Sequence, residues 1–206
     1  METSHQPRNS GTGKIFNNPF LERLTRTHIS LPLTAFSMIS IYLIYQSVAV
    51  MGIAVGTTML LFLGGLLFFT FIEYMMHRHV FHMTEDTPAK KKFVYTAHGV
   101  HHDYPRDKDR LAMPLPVSLV VSFVFFLIYR LIMGDYAYAF LPGFLMGYAA
   151  YLWVHYMVHA FQPPKNALKI WWVHHGIHHY KQPDRAFGVS SPIWDLVFRT
   201  MPEKSK

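Results

Sequence analysis

The chain has 206 residues, enough for one domain of ordinary size, and 51% of them are apolar against 15% charged, an apolar balance high for a soluble domain. There is no cysteine, which excludes disulfides and CxxC-type zinc or haem-attachment motifs, so any metal has to be held by histidine, carboxylate or backbone oxygen. The net charge of +7 does not point to nucleic acid, because the aromatic residues lie in apolar runs rather than among the basic ones; basic segments beside anionic lipid account for it.

Residues 1–26 are polar, carry Gly, Ser, Asn and Pro breakers and four basic residues, and read as a flexible cytosolic tail followed by a short surface helix ending near Thr27. No continuous apolar core precedes Pro19, so the start does not read as a cleaved signal peptide. From residue 27 to residue 72 there is no Asp, Glu, Lys or Arg, a run of 46 residues. As one helix it would extend roughly 69 Å at about 1.5 Å per residue, more than twice the thickness of a bilayer core of about 30 Å. Two spans are therefore predicted, residues 31–50 and 51–72, with a short turn near Gln46 and Ser47; Gly52, Gly56, Gly64 and Gly65 offer close helix contact. The second span runs without a breaker into HRHVFH at 77–82, and residues 83–112 form a charged segment. A third span is predicted over 115–133, with Pro116 suited to a helix start, and a fourth over 136–158 after a tight turn at Gly134 and Asp135. Residues 162–206 are polar and aromatic.

Lys and Arg number four in the N-terminal segment, seven in 73–112 and seven after residue 160, against only Arg130 on the opposite side. The positive-inside rule then puts the N-terminus, the charged segment and the C-terminal segment on the cytoplasmic face.

Fourteen histidines are present. His5 and His28 stand outside any pattern, and the other twelve form four groups: His77, His79 and His82; His98, His101 and His102; His155 and His159; His174, His175, His178 and His179. HxxHH occurs twice, at 98–102 and 175–179, and a helix brings positions i, i+3 and i+4 to one side. Ionisable residues at membrane depth mark function, and dense imidazole marks metal. A tetrahedral zinc site takes four ligands at most, so ten or more histidines suggest two metals with about five nitrogens each. The metal stays open, since imidazole also suits iron and copper. His77 and His82 lie roughly 140° apart on an ideal helix, whereas His79 and His82 share a face, so spacing alone favours His79.

HRHVFH, HGVHH, HYMVH and HGIHH resemble the histidine boxes of the fatty acid hydroxylase and sterol desaturase superfamily. FIEYMMHRHVFH (71–82), HHDYPRDKDRLAMP (101–114) and FGVSSPIWDLVFRTMP (187–202) narrow the resemblance to fatty acid 2-hydroxylases. The resemblance implies an all-α integral membrane protein, with about four transmembrane helices and a cytosolic helical cap holding a histidine-rich dimetal centre; residues 27–206 would be the membrane hydroxylase domain. One metal would take His77, His82, His98, His102 and His178, the other His101, His155, His159, His175 and His179. His79 is thereby demoted and His174 becomes a spacer or supporting residue. Iron is expected in the active enzyme, with zinc an option after purification, and dioxygen as co-substrate. The substrate would be a lipid acyl chain hydroxylated at C-2, typically in ceramide or dihydroceramide. With no haem motif of a fused cytochrome b5, electrons are expected from a separate cytochrome b5-like or ferredoxin-like protein.

The implied membrane is the endoplasmic reticulum in a eukaryote and the inner membrane in a bacterium. One departure is the stretch from Tyr151 to His155, which lacks the acid that the family often carries there. Asp103, Asp107 and Glu73 are candidates to orient imidazole N–H groups, and Trp171, Trp172, Tyr156 and Tyr180 to line the interface. The rivals are a sterol, carotenoid or alkyl-chain oxidase of the same superfamily, and a membrane metal transporter or sensor.

Overall fold

The computed structural model describes residues 7–203, so His5 lies outside it, and every regular element there is helical. Three stretches are long and apolar enough to cross a membrane: Ser30–Val50, Val55–Phe81 and Lys108–Ala160. The third, at 53 residues, would extend about 80 Å as one helix, too long for one crossing. Gly134 divides it, with a φ of 58° that favours glycine, so the chain turns back and two helices result.

The short helix α1 (Pro19–Leu24) begins where the Asn18 side chain accepts from the backbone N–H groups of Phe20 and Leu21. The long helices follow: α2 (Ser30–Tyr45, prolonged by a π-helical turn Gln46–Val50) and α3 (Val55–Met76, prolonged by a π-helical turn His77–Phe81). The turn between them lies at 51–54, not at Gln46 and Ser47 as predicted; Gly52, at φ 67°, makes it. Ser47 stays in the helix because its hydroxyl is hydrogen-bonded to Thr58 at 2.9 Å across the hairpin. The charged segment holds α4 (Pro88–Val94), a π-helical turn Tyr95–Gly99 and α5 (Val100–Asp103). Then come α6 (Leu115–Met133), α7 (Ala137–Ala160), α8 (Lys169–Tyr180) and α9 (Ile193–Val197).

α7 is the central helix and packs against α2, α3 and α6 around Phe36, Leu43, Phe69, Tyr129, Leu141, Phe144 and Leu145. Large apolar side chains also face outward, Leu131 at 89% exposure and Leu60 at 73%, as lipid-facing positions should. α3 and α7 meet backbone to backbone. A Cβ on Gly65 would run into the Phe140 carbonyl, and one on Gly143 into that of Phe62. Of the four glycines expected at helix contacts, Gly65 makes the close one, Gly64 has only Phe140 nearby, and Gly52 and Gly56 face open space.

The N-terminal segment differs from the expected flexible tail, because polar groups along it find partners on the cap. Arg8 N–H donates to the Asp103 carbonyl, Tyr180 donates to Asn9, and Thr12 is hydrogen-bonded to Asp107. Glu22 accepts from the backbone of Ile15 and Phe16 and pairs with the buried Arg110, which also donates to Thr25. The strap so formed lies across the segment that carries the first HxxHH.

Candidate metal centre

The C-termini of α3 and α7 come to the same end of the bundle, which directs the partial negative ends of two long helices toward one region. There the fold gathers His77, His82, His98, His102 and His178 in one group and His101, His155, His159, His175 and His179 in a second. Within each group the ligand-type nitrogens lie within 4.8 Å of one another.

The first group depends on a local departure from the α-helix. The π-helical turn after Met76 hydrogen-bonds His82 N to His77 O, five residues back, so residues five apart face the same way. This removes the 140° objection to His77 and His82 and leaves His79 exposed, outside both groups. In the second group, His155 and His159 need no such device, being four apart on regular α7.

Neighbouring Nε2 atoms are closely and evenly spaced. In the first group His77 to His98 is 3.0 Å, His98 to His102 2.9 Å and His82 to His178 3.1 Å. In the second, His101 to His155 is 2.9 Å, His101 to His179 3.1 Å and His159 to His175 2.8 Å. Nitrogens bound at about 2.1 Å to one ion and at right angles to each other sit about 3.0 Å apart. Hydrogen bonds among the rings fit less well. His98 Nε2 faces two other Nε2 atoms, and a single proton serves one such contact, whereas a cation engages every lone pair.

Backbone carbonyls orient three rings. His77 Nδ1–H donates to Phe187, His155 Nδ1–H to Leu111 at 3.1 Å and His178 Nδ1–H to Arg185 at 2.7 Å. Each bond puts the ring proton on Nδ1 and leaves the Nε2 lone pair facing its group. Nδ1 of His101, His175 and His179, all in the second group, is buried without a partner among the described residues. Burial first, and the adjoining imidazoles second, hold His98, His101, His102, His175, His178 and His179 well below the ordinary histidine value. Burial alone pulls His82 to about 4. The rings are neutral near pH 7, the state in which imidazole binds metal.

Two of the carboxylates expected to orient imidazoles are engaged with other partners. Glu73 accepts from the backbone of Val189 and Ser190 and from the Ser190 hydroxyl, and Asp107 is bound by Thr12 and the Asp109 N–H. A carboxylate that meets an imidazole is Asp195, 3.0 Å from His174. Sequence spacing offered no signal for that pair beyond the place of Asp195 in the FGVSSPIWDLVFRTMP stretch.

Among the proposed interface aromatics, Trp171 donates to the Ser190 carbonyl and Trp172 to that of Phe161. Trp172 and Tyr180 also line a cavity of about 420 Å³ that reaches His159 and His175 and has Arg106 and Lys108 at its polar side. His28 is hydrogen-bonded to Ser30 and stands apart from both groups.

Comparison with known proteins covers the same region. The fatty acid hydroxylase family matches residues 62–200. The chain is 35% identical to the ceramide very long chain fatty acid hydroxylase of Schizosaccharomyces pombe, a match that takes in 97% of this chain and 59% of that protein. It is 32% identical to a dihydroceramide fatty acyl 2-hydroxylase of Arabidopsis thaliana, over 98% of this chain and 85% of the relative. Mouse fatty acid 2-hydroxylase is 37% identical over 70% of this chain and 40% of its own length. The solved structure of full-length scs7p, in which only the hydroxylase domain is visible, superposes with a TM-score of 0.86 at 32% identity and covers 97% of this chain and 76% of that one.

Proposed function

Because the chain belongs to the fatty acid hydroxylase family, we propose that it is a membrane monooxygenase that hydroxylates C-2 of a long fatty acyl chain in a ceramide-type lipid, with two iron ions and dioxygen. The observation that carries this reading is the pair of five-histidine groups at one end of apolar helices, within a family match that spans all ten residues. His77, His82, His98, His102 and His178 would hold one iron, and His101, His155, His159, His175 and His179 the other.

When bound, the irons would supply the reduction of dioxygen, with one oxygen atom entering the C-2 C–H bond and the other leaving as water at the expense of two electrons and two protons. The protein does the rest. Burial of His98, His101, His175 and His178 keeps bulk water from the reacting centre, and the carbonyls of Phe187, Leu111 and Arg185 hold Nε2 lone pairs in place. The outward apolar faces of α2, α3 and α6 keep the acyl chain in lipid, while C-2, next to the headgroup, has to lie at the polar end where the histidines gather. The basic residues at that end support a cytoplasmic face for it by the positive-inside rule, where an electron donor of the cytochrome b5 or ferredoxin class would dock. The domain would then run over residues 27–206.

The test is product analysis. Purified protein supplied with iron, dioxygen, a reducing system and a ceramide yields a 2-hydroxyacyl product, and His178→Ala abolishes it. A sterol or carotenoid product by mass spectrometry would replace the substrate assignment, and undiminished turnover by His178→Ala would sink the dimetal one.

A further inference from the structure

Asp195 is fully buried and the two groups of histidines leave it out. Four donors converge on its carboxyl group. Oδ1 accepts from Phe187 N–H at 2.9 Å and from the Thr200 hydroxyl at 2.7 Å; Oδ2 accepts from Gly188 N–H at 2.8 Å and from His174 Nε2 at 3.0 Å. The Gly188 N–H and the Phe187 carbonyl belong to one peptide unit. That unit is therefore gripped on its N–H side by Asp195 and on its carbonyl side by His77 Nδ1.

The peptide unit two places earlier is held in the same way. Ala186 N–H donates to the Thr200 carbonyl, while the Arg185 carbonyl of that unit accepts from His178. Thr200 is fastened to Asp195 through both its N–H and its hydroxyl. Ala186, which follows the first of these units, has φ 58° and is fully buried, in the left-handed region that a residue with a Cβ enters only when its surroundings impose it. At Gly188 a Cβ would run into the Ser191 carbonyl and lie 2.9 Å from Asp195 Oδ2, so glycine lets both approach.

The same carboxylate ties the segment to two helices. It reaches α8 through His174, which lies four residues before His178 and so on the same stripe of that helix. It reaches α3 through Thr200, which accepts from Tyr74, and Tyr74 in turn accepts from Arg78, next to His77. The imidazoles that this network orients by a hydrogen bond are His77, through the Phe187 carbonyl, and His178, through the Arg185 carbonyl, both in the first group; the Leu111 carbonyl that orients His155 in the second group lies outside it.

We infer that Asp195, with His174 as its partner, is the positioning residue for the metal site formed by His77, His82, His98, His102 and His178, and leaves the second site untouched. The inference builds on the dimetal reading above. Partners of this kind typically alter metal affinity by about 10–100-fold when removed.

Metal content per chain, measured on purified protein dialysed against a weak chelator, tests it. Wild type retains about two ions. Asp195→Asn keeps the shape but turns an amine toward two of the four donors, and is expected to retain about one ion with its helical circular dichroism intact. Adding His159→Ala to Asp195→Asn should remove the remaining ion, whereas adding His77→Ala should remove nothing further. Since Asp195→Asn carries a risk of misfolding, His174→Leu repeats the experiment with the carboxylate kept, and His174→Gln, which restores an N–H donor, should recover the second ion. Two ions in both Asp195→Asn and His174→Leu, or parallel loss from both sites in a folded His174→Leu protein, overturns the inference with the dimetal reading intact. Fewer than two ions in wild type overturns the dimetal reading and the inference with it.

Discussion

The contact between α3 and α7 sets the spacing of the helices that deliver His77, His82, His155 and His159, and Gly143→Ala probes it directly. A Cβ at that position would meet the Phe62 carbonyl carbon at 2.6 Å and its Cα at 2.9 Å, with the carbonyl oxygen nearer still. Carbon atoms rest at about 3.5–4.0 Å, so the helices have to part by about 1 Å, and because the obstacle is backbone no rotamer change relieves it. Overpacking of this kind costs about 1–3 kcal/mol. For a chain of this length that lowers the melting temperature by about 2–12 °C. A shift of about 1 Å at a reacting centre costs about 100-fold in turnover, so activity should fall further than stability suggests. Gly56→Ala is the control: nothing lies within 4 Å of the added carbon, and the change should be neutral or stabilising by up to about 1 kcal/mol. Thermal melting of both variants in detergent decides the matter. Equal melting temperatures for Gly143→Ala and Gly56→Ala would refute the claim that α3 and α7 touch backbone to backbone.

In metal-stripped protein the histidine groups make stability depend on acid. The His82 value is about 4 in the folded chain against 6.5 ordinarily, so its contribution is fully present above pH 6.5 and is lost as pH falls toward 4, about 3 kcal/mol from this ring alone, readable as a steep drop in melting temperature across that window. Arg110→Ala removes the buried guanidinium that pairs with Glu22 and Asp107 and donates to Thr25, and should cost about 1.5–3 kcal/mol, with faster tryptic cleavage at Arg8 and Lys14 as the strap comes loose. A chain truncated before Trp171 should lose both metals, since α8 serves both groups; one fully retained ion would count against that division.

The spans were legible because a charge-free run of 46 residues leaves few alternatives in a bilayer, and Gly134 and Pro116 act locally. The histidines that gather are the ten implied by the family resemblance, whereas spacing alone preferred His79 to His77. That preference failed for a local reason: it assumed 100° per residue through a segment that relaxes into a π-helical turn. Features settled by long-range partners left no periodic trace. Gly143 matters because of Phe62, the strap because of Asp103, Asp107 and Arg110, and Asp195 because of His174 and the peptide units at 186–188. In each case the residue type looks ordinary until its neighbour from another part of the chain is known.

The two groups are built to one plan with the parts exchanged. The first HxxHH sends its outer residues, His98 and His102, to the first group and its middle residue, His101, to the second; the HxxHH on α8 sends His175 and His179 to the second and His178 to the first. Each group is completed by a pair from the end of a long helix, His77 and His82 from α3 and His155 and His159 from α7. Residues four apart on a helix lie about 40° from one another, while the residue at i+3 lies about 100° from its neighbour at i+4, so the middle histidine of an HxxHH turn, at one edge of the shared side, can serve a different group from the outer two. Two such turns set against each other each contribute to both groups, which is why α8 acts as a clasp on both. The plan is not fully symmetric. His77 and His178 are both hooked by carbonyls of the segment that Asp195 holds, whereas in the second group His155 is hooked and Nδ1 of His101, His175 and His179 has no partner among the described residues. The orientation of His77 and His178 thus depends on the C-terminal segment as well as on the helices that carry them, whereas that of His155 depends on the Leu111 carbonyl.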